Sequence, residues 1–203
     1  GAMIRRKFRH NQIPLKYISK KQFLFSPAFA NIDEIVLAPA EFDFPSVHRD
    51  ERLQYVGFMI DEGRKDQIDS AYQAAYPQIL KGMADKKELI YCSFGSVSYD
   101  DLKHVEEFLR RLIEVCEYKN YVLVISAADE QLQTTFKGSG ENIFIFKRVP
   151  QLQLLEMAKV FINHGGLNSI KESIYKKVPM LVYPINPDTD HNGNSARVVF
   201  HQL

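Results

Sequence analysis

Short hydrophobic runs alternate with helical patterns along the chain from residue 89 onward. Apolar runs typical of buried strands occupy 89–94, 121–126, 143–146, 160–162 and 180–183. Between them, apolar residues recur at helical spacing over 102–116, 152–158 and 166–176. Strands that alternate with helices predict right-handed βαβ units on a parallel sheet. The pattern therefore predicts an α/β fold with a Rossmann-like parallel sheet, which binds ligands at the carboxyl ends of its strands.

The chain before residue 67 follows a less regular pattern. A buried strand is predicted at 35–39, where Pro39 ends the run, and a second short apolar run occupies 53–58. The composition then turns polar, so we predict a linker or hinge at 57–66. Residues 1–3 look like a cloning scar and are left out of the fold prediction.

Two further helical features flank the first predicted strand of the sheet. A helix is expected within 66–83, interrupted by Pro77, because proline removes a backbone donor and clashes with the preceding turn. Ser98 and Asp101 form a capping box, in which the hydroxyl and the carboxylate satisfy free helix amides. The helix predicted at 102–116 should therefore begin directly after Asp101.

The composition is that of a folded globular protein. Hydrophobic residues make up 45% of the chain, with 14 Phe and 10 Tyr, which excludes disorder as its main state. No apolar run reaches the roughly 18 residues of a membrane-spanning helix, and we expect no signal peptide. Two cysteines, Cys92 and Cys116, are too few for a disulfide framework and favour a reducing compartment. We therefore expect a cytoplasmic protein.

The charges are unevenly distributed along the chain. The formal net charge of +1 gives no overall bias toward nucleic acid, which we do not expect as a partner. Before Asp33 there is no acidic residue, but there are seven basic ones: Arg5, Arg6, Lys7, Arg9, Lys16, Lys20 and Lys21. Such a basic segment can make peripheral contact with an anionic membrane surface, or it can remain a solvated surface.

The candidate chemistry lies at one strand–helix junction. The strand that ends at Ile162 is followed by His164, then by two glycines, and a helix begins almost at once. Free amides in the first helical turn, with the positive end of the helix dipole behind them, form an anion site that phosphate commonly occupies. A tight turn that needs two glycines accounts for the same residues without a ligand, so the pattern alone leaves both interpretations open.

Polar side chains of the same helix extend the candidate site. Asn168 and Ser169 provide donors in the first turn, and Glu172 shares the helix face of Ser169 because it follows three residues later. A carboxylate at that place suits the two vicinal hydroxyls of a ribose. Without a ligand, Asn168 and Ser169 would be helix caps and His164 would be a hydrogen-bonded turn residue.

The sequence around this junction resembles the donor-binding signature of the UDP-glycosyltransferases, a large family with the GT-B fold. The resemblance rests on HGGLNSIKE at 164–172, VPML at 178–181, Pro184, DHNGN at 190–194 and Arg197, and it extends to VPQ at 149–151 and SFGS at 93–96. Residues 36–45 and 55–57 resemble the end of the family's N-terminal domain and its linker. The implied organisation is a remnant of the acceptor domain at 4–56, a linker at 57–66, and a donor-binding domain at 67–203 that lacks its C-terminal end.

The resemblance also implies which residues hold the donor. The implied diphosphate-binding residues are Ser96, His164, Gly165, Gly166, Asn168 and Ser169. The other implied contacts are Arg148, Val149 and Gln151 with the base, Glu172 with the ribose hydroxyls, and Asp190 and His191 with the sugar. The chain departs from the family at two of these positions. It has no Trp, and Arg148 stands where a Trp commonly stacks on uracil, while His191 replaces the usual Gln.

These departures and implied roles define the expected function. Because a guanidinium can stack on a base as Trp does, Arg148 leaves the identity of the base open. The implied reaction is inverting transfer of a sugar from a UDP-sugar to a hydroxyl of a small or lipophilic acceptor, with no cofactor and no metal. The family's catalytic base belongs to the N-terminal domain, and no residue of this chain takes that role. We therefore expect this chain alone to bind the donor without transferring sugar.

Other functions remain open at the level of sequence. The chain could be a non-catalytic nucleotide-sugar-binding module, the donor-binding subunit of a split glycosyltransferase, or part of a GT-B sugar epimerase. The proximity of Asp188, Asp190 and His191 leaves a metal site as a less favoured alternative. A dehydrogenase is disfavoured, because no G-x-G-x-x-G motif follows any predicted strand.

Overall fold

The structure is a computed structural model that describes residues 2–17, 32–46, 51–85, 87–95, 102–186 and 189–203. The chain divides into two compact units, Gly1–Met59 and Ile60–Leu203. The assignment of residues 4–56 to an acceptor domain, and that of 57–66 to a linker, stay predictions. In the described part of the chain, no helix combines the length and the apolar character needed to cross a membrane.

The described residues of the first unit form one helix, two 3₁₀ turns and a small sheet. Its elements are α1 (Ala2–His10), the turns Leu15–Tyr17 and Ala40–Phe42, and the strands β1 (Glu34–Val36) and β2 (Leu53–Tyr55). The two strands are parallel, with Glu34 opposite Leu53. The strand predicted at 35–39 is present, but it spans only Glu34–Val36, and the prediction that it is buried is wrong, because Ile35 is 68% exposed. A sheet of only two strands leaves much of its surface to solvent.

The second unit is built on a five-stranded parallel sheet in the order β5-β4-β3-β6-β7. Its strands are β3 (Leu89–Ser93), β4 (Val122–Ser126), β5 (Ile143–Phe146), β6 (Ala158–Asn163) and β7 (Met180–Val182). Every neighbouring pair in it is parallel. The predicted α/β fold with a Rossmann-like parallel sheet is confirmed.

In the described part of the second unit, six helices connect or flank these strands. They are α2 (Ser70–Ala84), α3 (Leu102–Lys119), α4 (Glu130–Thr135), α5 (Gln151–Met157), α6 (Leu167–Lys176) and α7 (His191–Phe200). The predicted interruption at Pro77 is wrong, because α2 continues through it. Tyr72 and Ile79 of the same helix are buried in the core, and this packing outweighs the lost backbone hydrogen bond. The capping box at 98–101 lies outside the described residues.

Hydrophobic residues fill both faces of the sheet, because successive strand residues point to opposite sides. On β3, Ile90 and Cys92 belong to the cluster that includes α3, whereas Leu89 and Tyr91 belong to the cluster that includes α2 and α5. The free thiols of Cys92 and Cys116 are both buried in the first cluster. Burial raises the pKa of both thiols, that of Cys116 to about 11, so both act as inert core residues.

The strand order creates a switch point between β3 and β6. From β3 the chain adds β4 and β5 on one side, then returns to place β6 and β7 on the other side. Connections leave the carboxyl ends of β3 and β6 in opposite directions, which opens a crevice where such sheets bind ligands. Gly95 follows β3 and His164 follows β6, so both lie at this crevice.

Candidate donor-binding site

The turn between β6 and α6 depends on glycine at position 165. Gly165 has a φ of +95°, a conformation that residues with a side chain rarely adopt. A Cβ atom at this position would lie 2.9 Å from the backbone oxygen of His191, at the start of α7. Glycine is therefore required both for the backbone conformation and for the close approach of the two segments.

The imidazole of His164 fits between the ends of β3 and α6. A Cβ atom added to Gly95 would lie 2.7 Å from Cε1 of the ring, and one added to Gly166 would lie 2.7 Å from Nε2. Nδ1 of His164 is 3.4 Å from the carbonyl oxygen of Ser93. The two glycines thus leave the space that the ring occupies at the switch point.

A second histidine contacts this ring from α7. The rings of His164 and His191 meet edge to face, with their centroids 4.6 Å apart. Burial lowers the pKa of His164, and the nearby His191 lowers it further, although Ser93 and Asp190 oppose these effects. Burial also lowers the pKa of His191 against the opposing charge of Asp190. Both rings are therefore mainly neutral at pH 7, so each carries one N–H donor and one acceptor nitrogen.

Two asparagines hold the glycine turn in place. Oδ1 of Asn163 accepts a hydrogen bond from the amide of Gly165 at 2.9 Å. Nδ2 of Asn194 donates to the carbonyl of Gly165 at 2.9 Å and to Oδ2 of Asp190 at 2.8 Å. The turn is thereby connected to the start of α7. Nδ2 of Asn163 and Nδ1 of His191 are buried and have no hydrogen-bond partner among the described residues.

The first turn of α6 points its backbone amides toward the crevice. Gly166 is the N-cap residue of this ten-residue helix, and the first turn contains no acidic residue. Asn168 is exposed and Ser169 is 8% exposed on the same turn. Unpaired amides and the positive end of the helix dipole favour a bound anion at this place.

One turn further along α6, the carboxylate of Glu172 takes part in a network of side-chain hydrogen bonds. This residue is only 3% exposed. Its Oε1 accepts from Nη1 of Arg64 at 2.5 Å, and its Oε2 accepts from Nη2 of Arg64 at 3.1 Å and from Nε2 of Gln151 at 2.8 Å. The hydroxyl of Tyr91 donates to Oε1 of Gln151 at 3.1 Å. The hydrogen bond to Glu172 raises the pKa of Arg64, so the guanidinium stays charged at neutral pH.

The loop between β5 and α5 is fixed by a carboxylate from the segment before α2. Oδ2 of Asp69 accepts from the amides of Lys147 at 2.7 Å and Arg148 at 3.0 Å. The side chain of Arg148 is exposed beside this anchored backbone. The side chain of Val149 is 8% exposed and packs in the core, so its backbone is the part left to contact a ligand.

Comparison with known proteins identifies the family. Residues 83–201 match the family model described as UDP-glucoronosyl and UDP-glucosyl transferase. The chain belongs to this family. The assignment made from the motifs at 149–151, 164–172 and 190–194 is therefore confirmed.

Three similar proteins show the extent of the likeness. The uncharacterized UDP-glucosyltransferase YdhE of Bacillus subtilis (strain 168) is 38% identical over 109 residues, which cover 54% of this chain and 26% of that protein. The calicheamicin glycosyltransferase CalG4 superimposes with a TM-score of 0.60 at 14% identity, over 98% of this chain and 50% of that one. UGT89C1 of Arabidopsis thaliana, solved in complex with UDP, superimposes with a TM-score of 0.53 at 19% identity, over 73% of this chain and 36% of that one. The chain thus spans half or less of the length of these proteins.

The structure brings most of the glycosyltransferase residues predicted from the sequence into two groups. His164, Gly165, Gly166, Asp190 and His191 lie together at the switch point. Gln151 and Glu172 are in direct contact further along α6. Ser96 and Asp188 lie outside the described residues. In the remaining described ranges, no three His, Cys, Asp or Glu side chains are grouped as metal ligands, and the absence of a metal from the reaction stays a prediction.

Sequence reasoning assigned no role to three residues of this site. Arg64 lies in the predicted linker, 108 positions before Glu172, and no spacing rule relates residues so far apart. Tyr91 is part of an apolar strand, where its hydroxyl gives no local signal. Asn194 was included in the recognised motif, but its double hydrogen bond depends on the tertiary contact between α7 and the glycine turn.

Proposed function

We propose that this chain binds a UDP-sugar at the carboxyl edge of its parallel sheet and supplies the donor-binding half of an inverting glycosyltransferase. The acceptor would be a hydroxyl of a small or lipophilic molecule. One observation carries the proposal: α6 has an open, glycine-rich N-terminus with an imidazole beside it, and a buried carboxylate–amide pair one turn later. This order matches the diphosphate and the ribose of a nucleoside diphosphate.

The diphosphate would lie at the N-terminus of α6. Backbone amides of that turn and the exposed Asn168 offer donors to the phosphate oxygens. His164 is held in place by its packing against Gly95 and Gly166, and it adds a donor at Nε2 when that nitrogen carries a proton, a state that a bound diphosphate favours. Negative charge grows on the diphosphate as the bond to the sugar breaks, and preorganised donors stabilise that charge most strongly in the transition state.

The ribose and the base would extend along α6 toward α5. The carboxylate of Glu172 accepts hydrogen bonds from ribose hydroxyls, and Gln151 is already oriented toward it. The base would follow along the loop that Asp69 anchors, where the exposed guanidinium of Arg148 can stack on a planar ring. The fold shared with the UDP complex of UGT89C1 supports uracil as the base.

The sugar would lie near the start of α7. Asp190 is exposed there, and Asn194 joins its carboxylate to the glycine turn. A carboxylate in this position accepts hydrogen bonds from sugar hydroxyls, and His191 supplies a second polar group beside it. The anomeric carbon is then held between this pair and the diphosphate.

In the proposed reaction, a general base removes the proton of the acceptor hydroxyl, and the resulting oxygen attacks the anomeric carbon. The bond between that carbon and the β-phosphate oxygen breaks, and the nucleoside diphosphate leaves with the bonding electrons. We assign to the described residues of this chain the leaving-group side of the reaction. No cofactor or metal takes part in this scheme.

Calorimetric titration of the 203-residue chain tests donor binding. UDP and UDP-glucose should bind, UMP should bind more weakly because it lacks the β-phosphate, and uridine should bind most weakly. Equal affinity for UDP and uridine would contradict the diphosphate site. A radiolabelled-donor assay over a panel of acceptors should show no transfer by this chain alone, and robust transfer would place a general base within it.

A further inference from the structure

We propose that Arg64 is an intramolecular competitor of the donor ribose, so that a nucleotide must displace it from Glu172 before both ribose hydroxyls can bind. The inference rests on the proposed function of the α6 site, and it concerns how access of the nucleotide to that site is limited. Its starting point is that the carboxylate expected to bind ribose already forms a two-pronged ion pair within the chain.

The hydrogen-bonding capacity of Glu172 is nearly filled. A carboxylate offers about four lone-pair positions. Arg64 uses two of them, through Nη1 at 2.5 Å and Nη2 at 3.1 Å, and Gln151 uses a third at 2.8 Å. One position remains, whereas a 2′,3′-diol donates two hydrogen bonds. Binding of both hydroxyls to Glu172 therefore requires one of the present donors to leave.

Of the two present donors to Glu172, Arg64 is displaced with the smaller loss of free energy. Gln151 is anchored by the hydroxyl of Tyr91, a fully buried residue, and its amide can itself serve a ribose hydroxyl. The Arg64 side chain is 31% exposed and comes from an irregular segment before α2. When released from Glu172, it keeps the carboxylate of Asp66 as a partner, since Nε donates to Oδ1 at 2.8 Å.

The same displacement would loosen the segment that carries Arg64. Residues 62–66 attach to α6 at a second place, where Glu62 accepts from the hydroxyl of Tyr175 at 2.6 Å and from Nζ of Lys176 at 3.4 Å. Glu62 is exposed, and exposed ion pairs contribute little to stability. Without the contact to Glu172, the segment is held to α6 mainly by this weaker attachment.

The competition has a defined effect on affinity. When only a fraction of the molecules has an accessible Glu172, the apparent Kd for a diol rises by the inverse of that fraction. A 2′-deoxynucleotide donates one ribose hydrogen bond, which the free position of Glu172 can accept while Arg64 stays. Removing the Arg64 fork should therefore improve the binding of UDP much more than that of dUDP.

Calorimetry with UDP and dUDP on the full 203-residue chain tests this inference. Arg64→Gln should tighten UDP binding about five- to tenfold and change dUDP binding less than twofold. Arg64→Lys keeps the positive charge but cannot form the two-pronged contact with Glu172. Its UDP affinity should therefore lie between that of the unmodified chain and that of Arg64→Gln. The matched control is Arg111→Gln, which removes an exposed Arg–Glu pair of α3 and should change neither affinity.

Hydrogen exchange gives a second measurement that needs no variant. In the unmodified chain, UDP should increase exchange in a peptide that spans 60–66, and dUDP should not. Unchanged exchange, or weaker UDP binding by Arg64→Gln, would overturn the competition and make Arg64 a support of Glu172. Absence of any UDP or UDP-sugar binding by the unmodified chain would instead overturn the proposed function, and the competition with it.

Discussion

The two ends of the α6 site are built by different means. At the proposed diphosphate end, Gly95 and Gly166 lie against the imidazole of His164, and Gly165 lies against the backbone of His191. At the proposed ribose end, a partly buried ion pair and its hydrogen bonds join side chains from four separate segments, through Arg64, Tyr91, Gln151 and Glu172. The first end depends on backbone shape, whereas the second depends on charge.

This difference determines how each end can adapt. The glycine turn cannot change without moving α7, because the backbone of His191 lies directly against Gly165. The carboxylate of Glu172 can exchange one hydrogen-bond donor for another without moving α6. Substitution of Gly165 should therefore reduce the free energy of unfolding, whereas substitutions at the proposed ribose end should mainly change ligand affinity.

Gly165→Ala should have the largest effect. Its φ of +95° strains any residue with a side chain, and the new Cβ would overlap the backbone oxygen of His191 at 2.9 Å. Strain and overpacking each cost about 1–3 kcal/mol, so we expect a loss of about 3 kcal/mol or more. Urea denaturation followed by circular dichroism measures it.

Two matched glycines separate the contributions to that loss. Gly138 also has a positive φ, of +76°, but a Cβ there meets nothing within 4 Å, so Gly138→Ala should cost only about 1 kcal/mol. In Gly166→Ala the new Cβ would contact the side-chain ring of His164, which can move. This substitution should weaken UDP binding more than it destabilises the fold. If Gly165→Ala and Gly138→Ala reduced the free energy of unfolding equally, the close approach of α7 to Gly165 would contribute nothing to that loss.

Glu172→Gln tests the charge-based end. The substitution preserves the shape but removes the negative charge that the ribose hydroxyls would contact. Hydrogen bonds to charged groups contribute about 1.5–3 kcal/mol, so UDP affinity should fall roughly tenfold or more, and the preference for UDP over dUDP should nearly disappear. Isothermal calorimetry measures both, with the exposed Glu107→Gln as control. An unchanged preference would remove Glu172 from the ribose site.

The same contrast explains which features could be predicted from the sequence. At the proposed diphosphate end, His164, Gly165 and Gly166 are consecutive, so they could be recognised locally. Arg64 could not, because its contact with Glu172 joins residues 108 positions apart. Two errors also came from tertiary packing: α2 continues through Pro77, and Ile35 is exposed on a sheet of only two strands.

Helix α7 was missed for a local reason. Its sequence begins with His, Asn and Gly and has few apolar residues at helical spacing, so propensity argues against a helix. Contacts with the glycine turn stabilise it instead, through Asn194. Helix α4 was also missed, since its six residues are too few for a clear period, although Asp129 caps it through the amides of Gln131 and Leu132.

His164→Ala should have a smaller effect that is specific to the β-phosphate. The ring fills the space between Gly95 and Gly166, and a proton on its Nε2 would contact the diphosphate. We expect UDP affinity to fall roughly tenfold and UMP affinity less than threefold, because one hydrogen bond to a charged oxygen is lost. Calorimetry with both nucleotides measures the difference, with the exposed His104→Ala of α3 as control. Equal losses for UDP and UMP would contradict the diphosphate role.

The smallest expected effect is a dependence of stability on pH that arises at the histidine pair. Burial lowers the pKa of His164 and of His191, so the folded state binds fewer protons than the unfolded state once the pH falls below about 6.5, the usual pKa of histidine. The free energy of unfolding should therefore be fully retained above that pH and should decrease as the pH falls through the lowered folded-state pKa values. Bound UDP should oppose this loss, because its negative charge favours the protonated ring. Thermal unfolding between pH 7.5 and pH 5.5 measures the slope, which should become flatter in His164→Gln and should stay unchanged in the control His104→Gln. A slope that is the same in all three proteins would show that His164 contributes nothing to the dependence of stability on pH.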